Sequence, residues 1–163
     1  MKTKFNFNSQ ICTTREQSER LTALGLKKET ADMVWHFTHN RSLALQWELN
    51  PHPPVTKNNC RLNIDRLNVL GRKKADGTLM TGEEYFNQVW GKDIPAWSLN
   101  RLIEMMPFDV FDNCFTLIKN YPSGYGVEYD ELSYYHKENI YDTLIEGIEH
   151  LIKEGYFNKE YLV

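Results

Sequence analysis

The sequence predicts an α+β domain in which a small antiparallel sheet is covered by a C-terminal helix. Three observations carry this expectation. Between residues 139 and 155, Ile140, Tyr141, Leu144, Ile145, Ile148, Leu151 and Ile152 fall on one apolar stripe at helical spacing. Upstream, the segments 114–119 and 127–135 are rich in strand formers and flank the turn sequence Tyr121-Pro122-Ser123-Gly124. Strands joined by so short a turn pair antiparallel, and a striped helix that comes after them has a face to lie on. At 163 residues, one domain spanning 1–163 is the default and is large enough to bury a sizeable core.

Thr13 with Glu16 three residues later reads as a capping box that opens a helix over 14–24, which Gly25 ends. Residues 28–33 suit a short turn of helix, and Val34 to Thr38 suits either strand or helix. Leu43, Leu45, Trp47 and Leu49 alternate with Ala44, Gln46 and Glu48, the period of a half-buried strand over 43–49. Pro51, Pro53 and Pro54 end that strand, because proline donates nothing to a ladder. The stretch 50–80 reads as a loop-rich middle with at most one strand or short hairpin, punctuated by Gly71 and Asp76-Gly77. Thr81 and Glu84 form a second capping box for a helix over 82–90 bearing Tyr85, Phe86, Val89 and Trp90. Pro95 suits the first turn of a helix over 95–106, which Pro107 stops. Asn139 caps the last helix, and Gly155 ends it in a left-handed conformation.

Charge and composition narrow the function classes. A net charge of −3 gives no global basic field of the kind that drives nucleic-acid binding by counterion release. The charge is uneven, however: Arg61, Arg66, Arg72, Lys73 and Lys74 face only Asp65 within 61–74, so a local basic face is expected. Cys12, Cys60 and Cys114 are odd in number and widely spaced, which fits free thiols in a reducing cytoplasm. The first ten residues lack the apolar core of an export signal, and no run is long enough to span a bilayer. The chain is therefore expected to be cytoplasmic, with no membrane partner and no cofactor.

Several residue groups are candidates for chemistry. His36 and His39, with His52 and Cys60 downstream, offer a tetrahedral ligand set, but their spacing matches no standard zinc motif, and on a strand His36 and His39 point to opposite faces. Cys12 sits just before a helix start, where N–H groups favour a thiolate. Gly71-Arg72-Lys73-Lys74 lacks the other residues of a phosphate loop. The adjacent acids Glu83-Glu84 and Asp130-Glu131 point apart on regular structure. Trp90, Trp97 and Tyr85 read as filler between two helices. The tyrosines Tyr121, Tyr125, Tyr129, Tyr134 and Tyr135 cluster on the expected hairpin, where they offer a stacking or protein-binding face.

Three segments carry a resemblance: 13–33 (TTREQSERLTALGLKKETADM), 94–107 (IPAWSLNRLIEMMP) and 141–162 (YDTLIEGIEHLIKEGYFNKEYL). Their combination resembles small uncharacterised proteins carried by gut Bacteroidota, by their prophages and by other mobile elements. The resemblance implies an accessory or phage-type protein, and no particular activity, cofactor or catalytic residue. Two readings are open. One is a non-enzymatic binding module whose partner is a protein or a nucleic acid; a nucleic acid would meet Arg66, Arg72, Lys73 and Lys74 at its phosphates and the tyrosines at its bases. The other is a small enzyme or metal-binding protein using His36, His39, Cys60 and Cys12.

Overall fold

The structure is a computed structural model that describes residues 9–38, 46–60, 64, 71–110, 112–120, 124–129 and 137–163. It is an α+β protein with short antiparallel sheets. The chain divides into two compact units: Lys27–Ala96 forms one, and Met1–Leu26 together with Trp97–Val163 forms the other.

In the discontinuous unit, α1 spans Arg15–Ala23, α3 Leu99–Met105 and α4 Ile140–Glu154. The strands β4 (Asp109–Val110) and β5 (Asn113–Cys114) form one hairpin, and β6 (Thr116–Asn120) and β7 (Gly124–Glu128) form another. The stripe on α4 does what its spacing predicts. Tyr141, Leu144, Ile145, Ile148 and Leu151 are buried, and the helix packs on β7, α1 and α3. Each such aliphatic side chain taken out of water contributes about 1.5–3 kcal/mol. Gly147 lies on the same face, close to Val127 of β7 and Met106. Asn139 caps the helix by accepting from the Tyr141 N–H, and Gly155 ends it at φ 82°, a conformation costly for other residues.

The N-terminal segment is tied in by polar contacts. Thr13 and Ser18 are fully buried and share a hydrogen bond of 2.7 Å. The Trp97 N–H donates to the Thr13 hydroxyl at 3.0 Å, and the Thr13 N–H donates to the Trp97 carbonyl at 2.9 Å. The cap of α1 lies one residue later than the sequence predicts: Thr14 and Gln17 form the capping box, which frees Thr13 for the interior. Gln17 also donates to Asp142 in the first turn of α4, and Asn139 donates to Gln10.

In the continuous unit, β1 (Met33–Phe37) lies between β2 (Trp47–Asn50) and β3 (Ile94–Ala96), antiparallel to both, with α2 (Gly82–Trp90) against β1. Residues 34–38, open to two readings from sequence, are thus mostly strand. The expected strand at 43–49 appears as 47–50, and 39–45 lie outside the described residues. The capping box of Thr81 and Glu84 forms as expected.

The helix expected over 95–106 needs correction. Pro95 belongs to the edge strand β3, where a missing N–H is tolerated, and the helix begins at Leu99 with Ser98 as its cap. The expected strand at 114–119 is divided between β5 and β6. Its partner begins earlier than expected, at Gly124, and 130–136 lie outside the described residues. Within 50–80, residues 72–80 form a small hairpin: the Lys74 N–H donates to the Thr78 carbonyl and the Met80 N–H to the Arg72 carbonyl, both at 2.8 Å. Residues 61–63 and 65–70 lie outside the described set. Among the described residues, no helix is long and apolar enough to cross a membrane.

Candidate functional site

Of the five tyrosines, Tyr125 and Tyr129 are among the described residues, and they differ in exposure. Tyr129 is buried, its hydroxyl donating to the Pro107 carbonyl at 3.0 Å and its ring lying 5.8 Å from that of Phe115. Burial alone pushes its phenol well above the ordinary tyrosine range. As a binding-face residue it is therefore corrected to a core residue. Tyr125 is half-buried, with the Lys119 ammonium 5.6 Å from its ring centre. The alternation of strand residues explains this: positions 125, 127 and 129 point to one side, and Val127 meets α4 there. Tyr121, Tyr134 and Tyr135 lie outside the described residues.

The basic segment is partly spent on its own neighbours. The Lys74 ammonium sits 2.6 Å from Glu84, and the Arg72 guanidinium stacks 4.3 Å over the Tyr85 ring. Hydrogen bonding to Glu84 raises the Lys74 ammonium above its ordinary value, and the same contact, with the Thr81 N–H, lowers the Glu84 carboxyl. Glu83 pairs with Lys57. Lys73 is exposed, and Arg66 lies outside the described residues. The hairpin thus sets acids beside its cations, which weakens it as a phosphate-binding surface.

Of the histidine and cysteine ligand set, His36, His52 and Cys60 are described. Among the described residues, no three of His, Cys, Asp and Glu converge closely enough to hold a metal ion. This corrects the possible site at His36, His52 and Cys60; His39 lies outside the described residues. His52 meets the Pro53 carbonyl through Nδ1 at 2.9 Å. Cys12 is buried, its S–H aimed at the Thr13 carbonyl at 3.4 Å, the setting of an inert core thiol.

What the structure does bring together is His36 and Asp93. Asp93 lies between the end of α2 and the start of β3, and its own N–H donates to the Trp90 carbonyl. Its side chain is only 5% exposed. His36 Nδ1 donates to Asp93 Oδ1 at 2.8 Å, and the Phe37 N–H reaches the same oxygen at 3.3 Å. Burial raises the Asp93 carboxyl above the usual range, and the His36 charge and hydrogen bond oppose that shift. Sequence reading misses Asp93. The signal is a histidine at the centre of a strand-like run, which needs an acidic partner when it is part-buried.

The second feature is the β4–β5 hairpin. Asp112 closes it at φ 64°, in the left-handed region that aspartate tolerates better than most residues. The Pro107 carbonyl accepts from Tyr129, and the Phe108 carbonyl accepts from the Phe115 N–H at 2.9 Å. The backbone around Phe108 is therefore fixed on both sides, yet the residue is 79% exposed. Asp109, Asp112 and Cys114 are exposed around it. Comparison with family models, curated proteins and solved structures finds no match to this chain.

Proposed function

We propose that this chain is a non-enzymatic binding or accessory protein of a mobile element or prophage, acting through a surface rather than a reaction centre. The observation that carries the reading is Phe108. An aromatic side chain has a large area to gain from burial, and here it stands in water on a pinned backbone. A rigid aromatic anchor loses little conformational freedom on docking, which is the economy of a binding hot spot. The exposed Asp109 and Asp112 fit a protein partner with an apolar socket rimmed by Lys or Arg. A nucleic-acid partner is less well supported, because Arg72 and Lys74 are already engaged and Tyr129 is buried. The resemblance of 13–33, 94–107 and 141–162 to proteins of mobile elements favours the accessory role. The exposed free thiol of Cys114 suits a reducing compartment, so we place the protein in the cytoplasm.

The test is site-specific photo-crosslinking in the producing cell, with a crosslinking residue at Phe108 and, as control, at the exposed Lys153 of α4. The expected result is one discrete protein adduct from position 108 and none from 153. The purified partner should then bind Phe108→Ala roughly thirtyfold more weakly than the wild type, the loss typical of an aromatic anchor. Identical adducts from both positions, or unchanged affinity in Phe108→Ala, would refute the reading. Salt-sensitive retention of a DNA or RNA oligonucleotide that needs Lys73 would favour the nucleic-acid version instead.

A further inference from the structure

An acid–imidazole–acid row crosses the three-stranded sheet, and its behaviour is independent of Phe108. The β1–β2 register sets Glu48 opposite His36. The β1–β3 register pairs Trp35 with Ile94, so one further step sets Asp93 on the other side of His36. At that step the Asp93 side chain replaces the backbone ladder, taking both the imidazole and the Phe37 N–H on one oxygen. We propose that His36 and Asp93 form a pH-sensitive latch that fastens the Phe37 end of β1 to the beginning of β3.

The charged groups that face the latch define how it works. Glu48 stands opposite His36 on β2. Lys92 places its ammonium 4.4 Å from the Phe37 ring, and the His52 charge favours Asp93 as carboxylate. On α2, Glu83 and Glu84 are held by Lys57 and Lys74. A carboxylate this buried needs a compensating charge, and His36 is in direct contact to supply it. Histidine changes charge between about pH 5 and 8. With the ring charged, both bonds to Oδ1 are held by an ion pair. Above the histidine range the ion pair gives way to a hydrogen bond with one charged partner, and the Phe37 N–H opens to water more often. Loss of the ring charge beside the carboxylate, taken at its water-screened value, corresponds to about fivefold in that opening.

Amide exchange at Phe37 tests this at about pH 5.5 and about pH 8, either side of the histidine range, after correction for the intrinsic exchange rate. Protection at Phe37 is expected to fall about fivefold at the higher pH, while Ile148 in α4 stays unchanged. His36→Asn keeps a donor at the δ position that cannot titrate, so its Phe37 protection should be independent of pH. Unchanged protection in the wild type, or the same fall in His36→Asn, would overturn the proposal. If His36→Asn fails to fold, the His36 ring and the Phe37 amide must titrate with a common midpoint in the wild type, and separate midpoints would equally overturn it.

Discussion

Replacing Gly147 by alanine tests the packing on which the discontinuous unit depends. A glycine inside a helix costs about 1 kcal/mol relative to alanine, and Gly147 lies in the middle of α4. A Cβ built there would stand 3.6 Å from Val127 Cγ1, an ordinary contact, and 3.3 Å from Met106 Cε. The second contact is tight, but it is made by the far end of a flexible thioether that can retreat by a few tenths of an ångström. Moving that side chain off its rotamer costs about 0.5–1.5 kcal/mol. The new methyl in turn contributes up to about 0.8 kcal/mol of burial. Gly147→Ala should therefore stabilise the unit by about 0.5–1 kcal/mol. Gly147→Val should do the reverse by about 1–3 kcal/mol, because its branches would be driven into Val127. Urea unfolding monitored by far-UV circular dichroism of all three proteins measures both. If alanine destabilises by more than about 1 kcal/mol, the Met106 contact is not yielding. If valine is as stable as the wild type, α4 does not lie on β7 as described.

Other outcomes rest on the same contacts. Ile148→Ala removes a fully buried side chain between α4 and its neighbours and should cost about 2–5 kcal/mol by the same measurement. Phe108→Ala should change the urea midpoint by less than about 0.5 kcal/mol equivalent, since a side chain so exposed contributes little to folding. Tyr129 has a folded pKa raised by burial, so its contribution is intact below the free tyrosine value of about 10 and is lost as pH rises through the folded value. Tyr129→Phe should therefore blunt alkaline unfolding, seen by ultraviolet phenolate absorbance together with circular dichroism. The Asp93 carboxyl is likewise raised, chiefly by burial. Its favourable contribution is present below the free aspartate value of about 3.9 and is lost as pH rises through the raised value. The stability of wild type relative to Asp93→Asn should fall between acid and neutral pH, and a constant difference would show that Asp93 is not burdened by its burial.

Local patterns are legible where one residue set decides the outcome. The α4 stripe, its Asn139 and Gly155 ends, and the Thr81 capping box all stand as the sequence predicts, because each depends on neighbours within a turn or two. Pro95 misleads for the opposite reason. Proline suits both a first helical turn and an edge strand, and only the pairing of Ile94–Ala96 with distant β1 decides between them. Thr13 and Thr14 are easily confused because either can cap, and the choice is made by Trp97, far away in sequence. The candidate sites show the same division. Tyrosine composition locates a hairpin but not its sides, since a single step of register moves a residue from water to core. Asp93 and Phe108 escape notice because neither carries a motif. One is defined by the partner it meets, and the other by the burial it lacks.

The order of the two units along the chain has a consequence for synthesis. During translation, everything needed for residues Lys27–Ala96 emerges while α4 is still to be made. That inner unit is free to fold on the ribosome, whereas the opening segment through Leu26 has to wait for the last helix before its own core closes. A nascent chain stalled far enough beyond Ala96 for β3 to have left the exit tunnel should already show the antiparallel β1–β3 pairing, with the α1 segment still unsheltered.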